Sequence, residues 1–567
     1  MNRVRLSNVV MRAALRASCG ILALLCVTSP GHAGTGAADS RLAATFRSID
    51  QAVASVPTPG IVIGITDRNR LQTVIVHGYA DLKKRTPLTR ESLFPIGSIS
   101  KSFTAVMLME LKDGGRFDPQ VPIRQYLPEF ALKSRFRAVT GHDLLSHTSG
   151  LPLYRADLSS SRDVVAALRD FEPAYAPGTH YWYSDIGFQV LGYVIERVVH
   201  APYQTVMEQK VLAPLGMTSS HAVIDDPLRV RLPVSYVRWP YDNSYVEYPW
   251  FEYAAADGSI VSTAADMCAY ARFILNRGQG PHGRVISDQS FTALTTPVLQ
   301  GYAYGLQVHQ EKDTTIIEHS GGMAGFHSLL VANMTDGFGL VFLSNFELDH
   351  ALTQWVLKAV RAAYRNEPES ARVSLSSDAK APDPAEYAGK YRASSGREAE
   401  FVSGPHGLLL KQGAGAVEFV PMGHDTFRTM GAAADPFPYV FGRAIGPGGS
   451  PVVEVSHGAE WFTNDRYRGV GQIAAPAEYL SYVGHYENHN PEGPIARIYV
   501  QRGRLMALVD GEVPSTDPQT LKSLGSGVFQ PAEPDPNPER YQFDSVVDGH
   551  ALRLLISGAP LYRVETP

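Results

Sequence analysis

Cysteine is scarce: there are three in 567 residues, and two of them, Cys19 and Cys26, fall in an N-terminal stretch that reads as a leader. Cys268 is then the one cysteine of the mature chain, which excludes an intramolecular disulfide framework and a cysteine-built metal site. No His-Glu-x-x-His is present, so the usual helical zinc-hydrolase signature is missing, and nothing else in the sequence asks for a cofactor or a metal. The chain also lacks a Gly-x-Ser-x-Gly elbow, which argues against an α/β-hydrolase. Charge of one sign is lacking as well. With 51 basic residues against 56 acidic ones and a pI near 6.4, there is no broad positive field to hold nucleic acid, which is not an expected partner.

Long apolar runs are absent too. The longest candidate, Ile21 to Val27, is far shorter than the roughly 20 residues of a membrane span. It follows Arg3, Arg5, Arg12 and Arg16, with no acid among them, and leads to small residues around His32-Ala33-Gly34. That order reads as a secretory signal peptide over residues 1–33. It predicts a periplasmic or secreted protein with no transmembrane anchor in its mature form.

Leu42, Phe46, Ile49 and Val53 recur at helical spacing, and the stretch ends at the Pro57–Gly60 breaker. Ile61 to Ile65 and Thr73 to Val76, with a turn at Asp67 to Asn69, form a hairpin pattern rich in branched residues. Three more strands are expected at Thr314 to Ile317, Ser328 to Val331 and Leu340 to Leu343, then a helix over about Ala351 to Ala363. An antiparallel sheet built from both ends of one unit, with helices covering it and a helical region inserted between, accounts for this order. Helical periodicity at Val164 to Leu168, Phe188 to Val199 and Ala264 to Leu275 supports the insertion.

Residues 34–365 therefore read as one α+β domain. Residues 366–384 are rich in Ser, Asp, Glu and Pro, as a linker would be. Beyond it the chain repeats itself. Pro384-Ala385-Glu386-Tyr387 returns as Pro476-Ala477-Glu478-Tyr479, and Tyr387-Ala388-Gly389-Lys390-Tyr391 matches Tyr482-Val483-Gly484-His485-Tyr486. Residues 385–471 and 476–567 thus read as duplicated, short-stranded modules, each a small antiparallel β-barrel, with an immunoglobulin-like sandwich as the alternative.

Chemistry concentrates at Ser98-Ile99-Ser100-Lys101, which opens an apolar helical run ending at Gly114-Gly115. Residues three apart on a helix share a face, so the lysine amine lies over the serine hydroxyl, and burial would depress that lysine until it accepts a proton. A helix-start backbone N–H there would also face an oxyanion. The motif alone is weak, since a capping serine followed by a surface lysine looks the same. A second copy at Ser377 to Lys380 lies in the polar linker and is expected to be inert.

Context is supplied by Tyr183-Ser184-Asp185 and by His319-Ser320-Gly321-Gly322 at a strand end. Ser-x-x-Lys, then Tyr-x-Asn, then Lys-Thr-Gly or His-x-Gly, in that order, is similar to the serine β-lactamase and penicillin-binding-protein superfamily. Class C β-lactamases, D,D-carboxypeptidases, esterases and D-aminopeptidases share the pattern. Leu145-Ser146-His147-Thr148-Ser149-Gly150-Leu151 and the Tyr304-Gly305-Leu306 turn look alike too, so the resemblance covers about residues 40 to 365. The two added modules give a layout most like the three-domain D-aminopeptidases.

The resemblance implies a β-lactamase/transpeptidase-like fold with Ser98 as nucleophile, Lys101 and Tyr183 moving its proton, and His319 as the third-motif residue. It implies Ser98 and Gly322 as oxyanion donors, with Gly321, Asp185 and Tyr304 at the substrate. Two departures matter. Asp185 stands where Asn is usual, which turns an amide donor into an acceptor unless Lys101 simply pairs with it. His319 stands where many relatives carry Lys, and a neutral imidazole holds a substrate carboxylate less well than an ammonium. His142 and His147 read as packing residues.

The expected function is an exported serine hydrolase working through a Ser98 acyl-enzyme on small peptides or amides, D-amino-acid ones among them. A promiscuous carboxylesterase or weak β-lactam hydrolase is the first alternative. A non-catalytic penicillin-binding or sensor protein is the second. Because every residue named precedes Asn366, the two modules are expected to restrict the site rather than to build it.

Overall fold

The computed structural model describes residues 33–567 except 57, 155–157, 159, 240–243, 369–382, 406, 414, 424, 430–436, 445–449, 472, 489–492, 511–514, 516 and 565–567. The expected signal peptide, apart from its last residue, and the second Ser-x-x-Lys copy lie outside the described residues. Among those described, no helix is long and apolar enough to cross a membrane.

The first hairpin folds as expected from its branched residues, with strands Gly60–Asp67 and Leu71–Asp81. The later run gives Gln307–Glu311, Thr314–Met323, Phe326–Asn333 and Phe338–Ser344. Strand Phe338–Ser344 pairs with Gly60–Asp67, so sequence-distant ends meet in the middle of one antiparallel sheet of seven strands, with Gln307–Glu311 and Thr86–Pro87 at its edges.

Side-chain alternation divides the core. Ile61, Ile63, Ile65, Leu340 and Phe342 face the terminal helices Ala33–Ala54 and His350–Arg365, which bring Ile49, Val53, Trp355 and Val360. Val62, Val341 and Leu343 face the other way, into a larger core shared with helices Ser100–Asp113, Asp185–Val199 and Ala264–Leu275. The helical insertion thus caps the sheet face on which the first motif lies. Cys268 is free and buried there.

Both repeated modules are closed eight-stranded antiparallel barrels rather than sandwiches, from Gly389–Ala393 to Glu460–Thr463 and from Gly484–Glu487 to Ala559–Val564. The repeat has a structural meaning. The Tyr391 hydroxyl donates to the Tyr387 carbonyl at 3.0 Å, and Tyr486 donates to Tyr482 at 2.8 Å. Each pair staples the turn before its first strand, and each barrel fills its interior with aromatic rings such as Phe401 and Phe441 or Phe529 and Phe543.

Candidate active site

Ser98 lies in a 3-10 turn, Gly97–Ile99, just ahead of the α-helix Ser100–Asp113 rather than within it. The spacing still works, because a 3-10 turn also stacks residues i and i+3. Lys101 Nζ donates to Ser98 Oγ at 2.9 Å. The turn is clamped from both sides. Ile96 N–H donates to Ile260 O at 2.9 Å, Ile260 N–H donates to Ser100 Oγ at 3.1 Å, and the Ser328 hydroxyl donates to Ile96 O at 2.8 Å.

Close backbone approach explains two glycines here. Gly97 has φ +51°, and a Cβ on it would meet Gly322 N at 2.9 Å; a Cβ on Gly321 would meet Ile96 O at 2.0 Å. The end of strand Thr314–Met323 therefore lies directly on the Ser98 turn. The Gly322 amide sits beside the residue preceding Ser98.

Lys101 is fully buried, as the sequence reading required, but its charge is not what that reading expected. Burial alone would depress the amine. Here Asp185 Oδ1 lies 2.6 Å from Nζ, the Asp257 carbonyl accepts from Nζ at 2.9 Å, and the Tyr183 and Asp257 side chains stand close by. Burial pulls the lysine down, Asp185 leads the groups that pull it up, and the net direction is upward. The resting site holds an ammonium. Of the two readings of Asp185, the ion pair with Lys101 is the one found.

Asp257 was not legible as a site residue. It is buried, it takes the Tyr253 hydroxyl at 3.0 and 2.9 Å on its two oxygens, and Gln189 Nε2 donates to that same hydroxyl at 3.1 Å. Burial and then the Asp185 charge push its carboxyl up to about 6, with Lys101 acting the other way. A carboxyl raised on folding stabilises the fold fully below its unfolded value near 3.8, and that contribution is lost as pH rises through about 6. Asp257→Asn, which still accepts from Tyr253, should therefore raise stability at pH 7.5, by on the order of 1 kcal/mol, and change it little at pH 4. Thermal unfolding of both proteins at the two pH values checks this; equal gains at both would show that ionisation is not the cause.

The Tyr183 phenol stands beside Ser98 and Lys101, and its ring lies 5.0 Å from Lys101 Nζ. Burial raises its phenol and the Lys101 charge opposes that, leaving the net direction upward, so the resting side chain is a neutral phenol. Behind it stands a wall of rings. His147 lies 4.2 Å from the Tyr183 ring, centroid to centroid, and Tyr302 lies 6.1 Å from it.

The wall fixes its own tautomers. Ser184 N–H donates to His147 Nδ1 at 3.1 Å, so the His147 proton is on Nε2 and goes to the Tyr302 hydroxyl at 3.2 Å. Tyr302 then donates to His319 Nε2 at 3.0 Å, and His319 Nδ1–H donates to Ser320 O at 2.5 Å. His319 is pushed down to about 4, by burial first and then by the Lys101 charge, and His147 also goes down. Both are neutral at pH 7, and both His319 nitrogens are engaged within the protein. His319 is thus placed against Tyr302, with its ring 6.2 Å from that of Tyr183.

Ser98, Lys101, Tyr183, Asp185, Gly321 and Gly322 are brought together as the sequence suggested. Tyr304 is not. It is buried with its hydroxyl 2.7 Å from His142 Nδ1, while its neighbour Gly305 packs on the helix backbone at Lys101. Tyr302 takes the place at the site. His147, read as packing, does pack, yet it also holds the Tyr183 segment through Ser184.

Residues 46–362 match the family model described as Beta-lactamase. Penicillin-binding protein 4* of Bacillus subtilis (strain 168) is 26% identical over 322 residues, 51% of this chain and 69% of that protein. Unguisins hydrolase ungD' of Aspergillus campestris (strain IBT 28561) is 29% identical over 318 residues, 51% of this chain and 58% of that protein. This chain thus spans little more than half the length of the latter. The octameric penicillin-binding protein homologue from Pyrococcus abyssi shares the fold at TM-score 0.51 and 18% identity, over 84% of this chain and 98% of that one. The matched segment holds the central sheet, the inserted helices and every residue of the Ser98 site, and on that ground the chain belongs to the Beta-lactamase family and is a serine hydrolase.

Proposed function

We propose that this chain is an exported hydrolase that transfers the acyl group of a small peptide amide or ester, D-amino-acid amides among them, first to Ser98 and then to water. The observation that carries the reading is the Ser98–Lys101 hydrogen bond of 2.9 Å, with the Tyr183 phenol beside both partners. Ser98 Oγ attacks the carbonyl carbon while its proton passes to Lys101, and Lys101 releases a proton to Asp185 at 2.6 Å. The amine never has to persist free. The oxyanion rests on the Ser98 and Gly322 amides. Tyr183 protonates the departing nitrogen or oxygen and recovers its proton from the Lys101–Asp185 pair; water then repeats the steps in reverse order on the ester.

The neutral, fully engaged His319 supports amides and esters over β-lactams, because it offers no fixed cation to a substrate carboxylate. The test is a substrate panel of a neutral p-nitrophenyl ester, D- and L-aminoacyl anilides, and nitrocefin. We expect kcat/KM for the ester or an anilide to exceed that for nitrocefin by about 100-fold or more, a difference of roughly 3 kcal/mol. A nitrocefin rate at or above the others would make the chain a β-lactam hydrolase instead. Export rests on the Arg-led apolar pattern before Gly34, and sequencing the N-terminus of protein recovered outside the cytoplasm tests it.

A further inference from the structure

The second barrel hydrogen-bonds to the catalytic domain through Glu539. Glu539 lies between strands Val528–Pro531 and Tyr541–Val547. Its Oε1 accepts the backbone N–H of Leu153 at 2.7 Å and the indole N–H of Trp182 at 3.3 Å. Both partners adjoin the site. The Leu153 carbonyl accepts Asp185 N–H at 2.8 Å and Ile186 N–H at 3.3 Å, and Trp182 immediately precedes Tyr183.

The loop that presents the carboxylate is itself built. The Ser557 hydroxyl donates to the other Glu539 oxygen, and Glu539 N–H donates to Oδ1 of the buried Asn537 at 2.9 Å. Arg540 NH1 donates to Asn537 O at 2.6 Å and to Glu539 O at 2.9 Å. Nothing here is a long, free side chain settling on a surface.

We propose that Glu539 is a positioning residue of the active site, supplied by the C-terminal barrel, which pins Leu153 to Trp182 and so fixes the segment carrying Tyr183 and Asp185. The segment has two supports. On one side His147 holds it, taking Trp182 N–H on its carbonyl at 2.8 Å and Ser184 N–H on its ring. On the other, Pro152 and Leu153 hold it through the Ser184 hydroxyl, at 2.6 Å to Pro152 O, and the Asp185 amide. Glu539 is the group that ties Leu153, on the second support, to Trp182, on the first. Without it, Leu153 N–H and the Trp182 indole turn to water, and the Asp185–Lys101 and Tyr183–Ser98 distances lose definition, to which proton transfer is steeply sensitive. The barrel is then a buttress of the site, beyond the restricting role expected from the order of the motifs. The proposal rests on the reading that Tyr183 and Asp185 serve Ser98.

The test uses the full chain with Glu539→Ala, Glu539→Gln, Trp182→Phe and the Trp182→Phe/Glu539→Ala pair, assayed on a neutral activated ester. Glu539→Ala should lower kcat about 10-fold with KM changed less than twofold, and slow fluorophosphonate labelling of Ser98 in proportion. Gln, which keeps an acceptor oxygen, should restore most of the loss. The double variant should be no slower than Glu539→Ala alone. Wild-type kcat in Glu539→Ala would overturn the proposal, and so would a loss that Gln does not restore and that follows a lowered melting temperature. Either result leaves the Ser98 reading standing, because that reading is judged separately on Ser98→Ala.

Discussion

Ser98→Ala should abolish acyl-enzyme formation and leave the fold intact. In the proposed reaction its hydroxyl is the attacking atom, and no neighbouring serine can replace it. Ser100 Oγ is committed to Ile260 N–H at 3.1 Å, and the Ser102 hydroxyl donates to Ile99 O at 2.7 Å while accepting Tyr270 at 2.8 Å. Both are buried. Losing the Ser98 hydroxyl removes one acceptor from Lys101, which keeps Asp185 and the Asp257 carbonyl, so no buried charge is stranded. The cost in stability is about 1 kcal/mol or less. Intact-protein mass spectrometry after a fluorophosphonate probe should show one adduct on the wild type, mapped to Ser98, and none on the variant, with the same melting curve within a few degrees. Ser377→Ala, in the linker copy of the motif, should label like wild type. Full turnover in Ser98→Ala would remove the proposed reaction altogether.

The fold was legible where burial imposes a period. Alternation in Ile61–Ile65 and Leu340–Leu343 marks strands between two helical layers, and the Tyr387 and Tyr482 repeats mark barrels because each staples the same turn. Ser98 and Lys101 were legible because three residues of helix or 3-10 turn bring them together whatever surrounds them. What escaped depends on non-local sums. The charge of Lys101 follows from Asp185 and Asp257, far off in sequence, and Asp257 sits in a run of alanine and glycine that carries no periodic signal. Tyr302 rather than Tyr304 faces the site, a matter of two residues in an irregular bridge that no pattern resolves. Glu539 meets Leu153 across 386 positions, and nothing local distinguishes it from other loop acids.

Lys101→Ala and Tyr183→Phe should each lower kcat about 100-fold or more, and the double variant should lose little beyond the worse single one. Both act on one proton. Lys101 touches Ser98 Oγ, and the Tyr183 phenol stands beside both, so removing either breaks the same path. Lys101→Ala has a further cost, because the half-buried Asp185 loses its ion-pair partner, and a fall in stability at neutral pH that eases on acidification is expected alongside. Tyr183→Phe removes only a hydroxyl and should melt like wild type, which makes it the cleaner test of chemistry. Asp185→Asn separates the two possible fates of the Lys101 proton. If Asp185 receives it, Asn cannot, and kcat at pH 7 falls by roughly tenfold or more. If a neutral Lys101 is the working base, removing the carboxylate eases its deprotonation in a buried setting, and kcat at pH 7 rises or holds. Steady-state kinetics from pH 5 to 10 on the three single variants and the Lys101→Ala/Tyr183→Phe pair decide among these. Losses that multiply independently would mean that Lys101 and Tyr183 serve separate steps, and an active Asp185→Asn would return the base to the lysine amine.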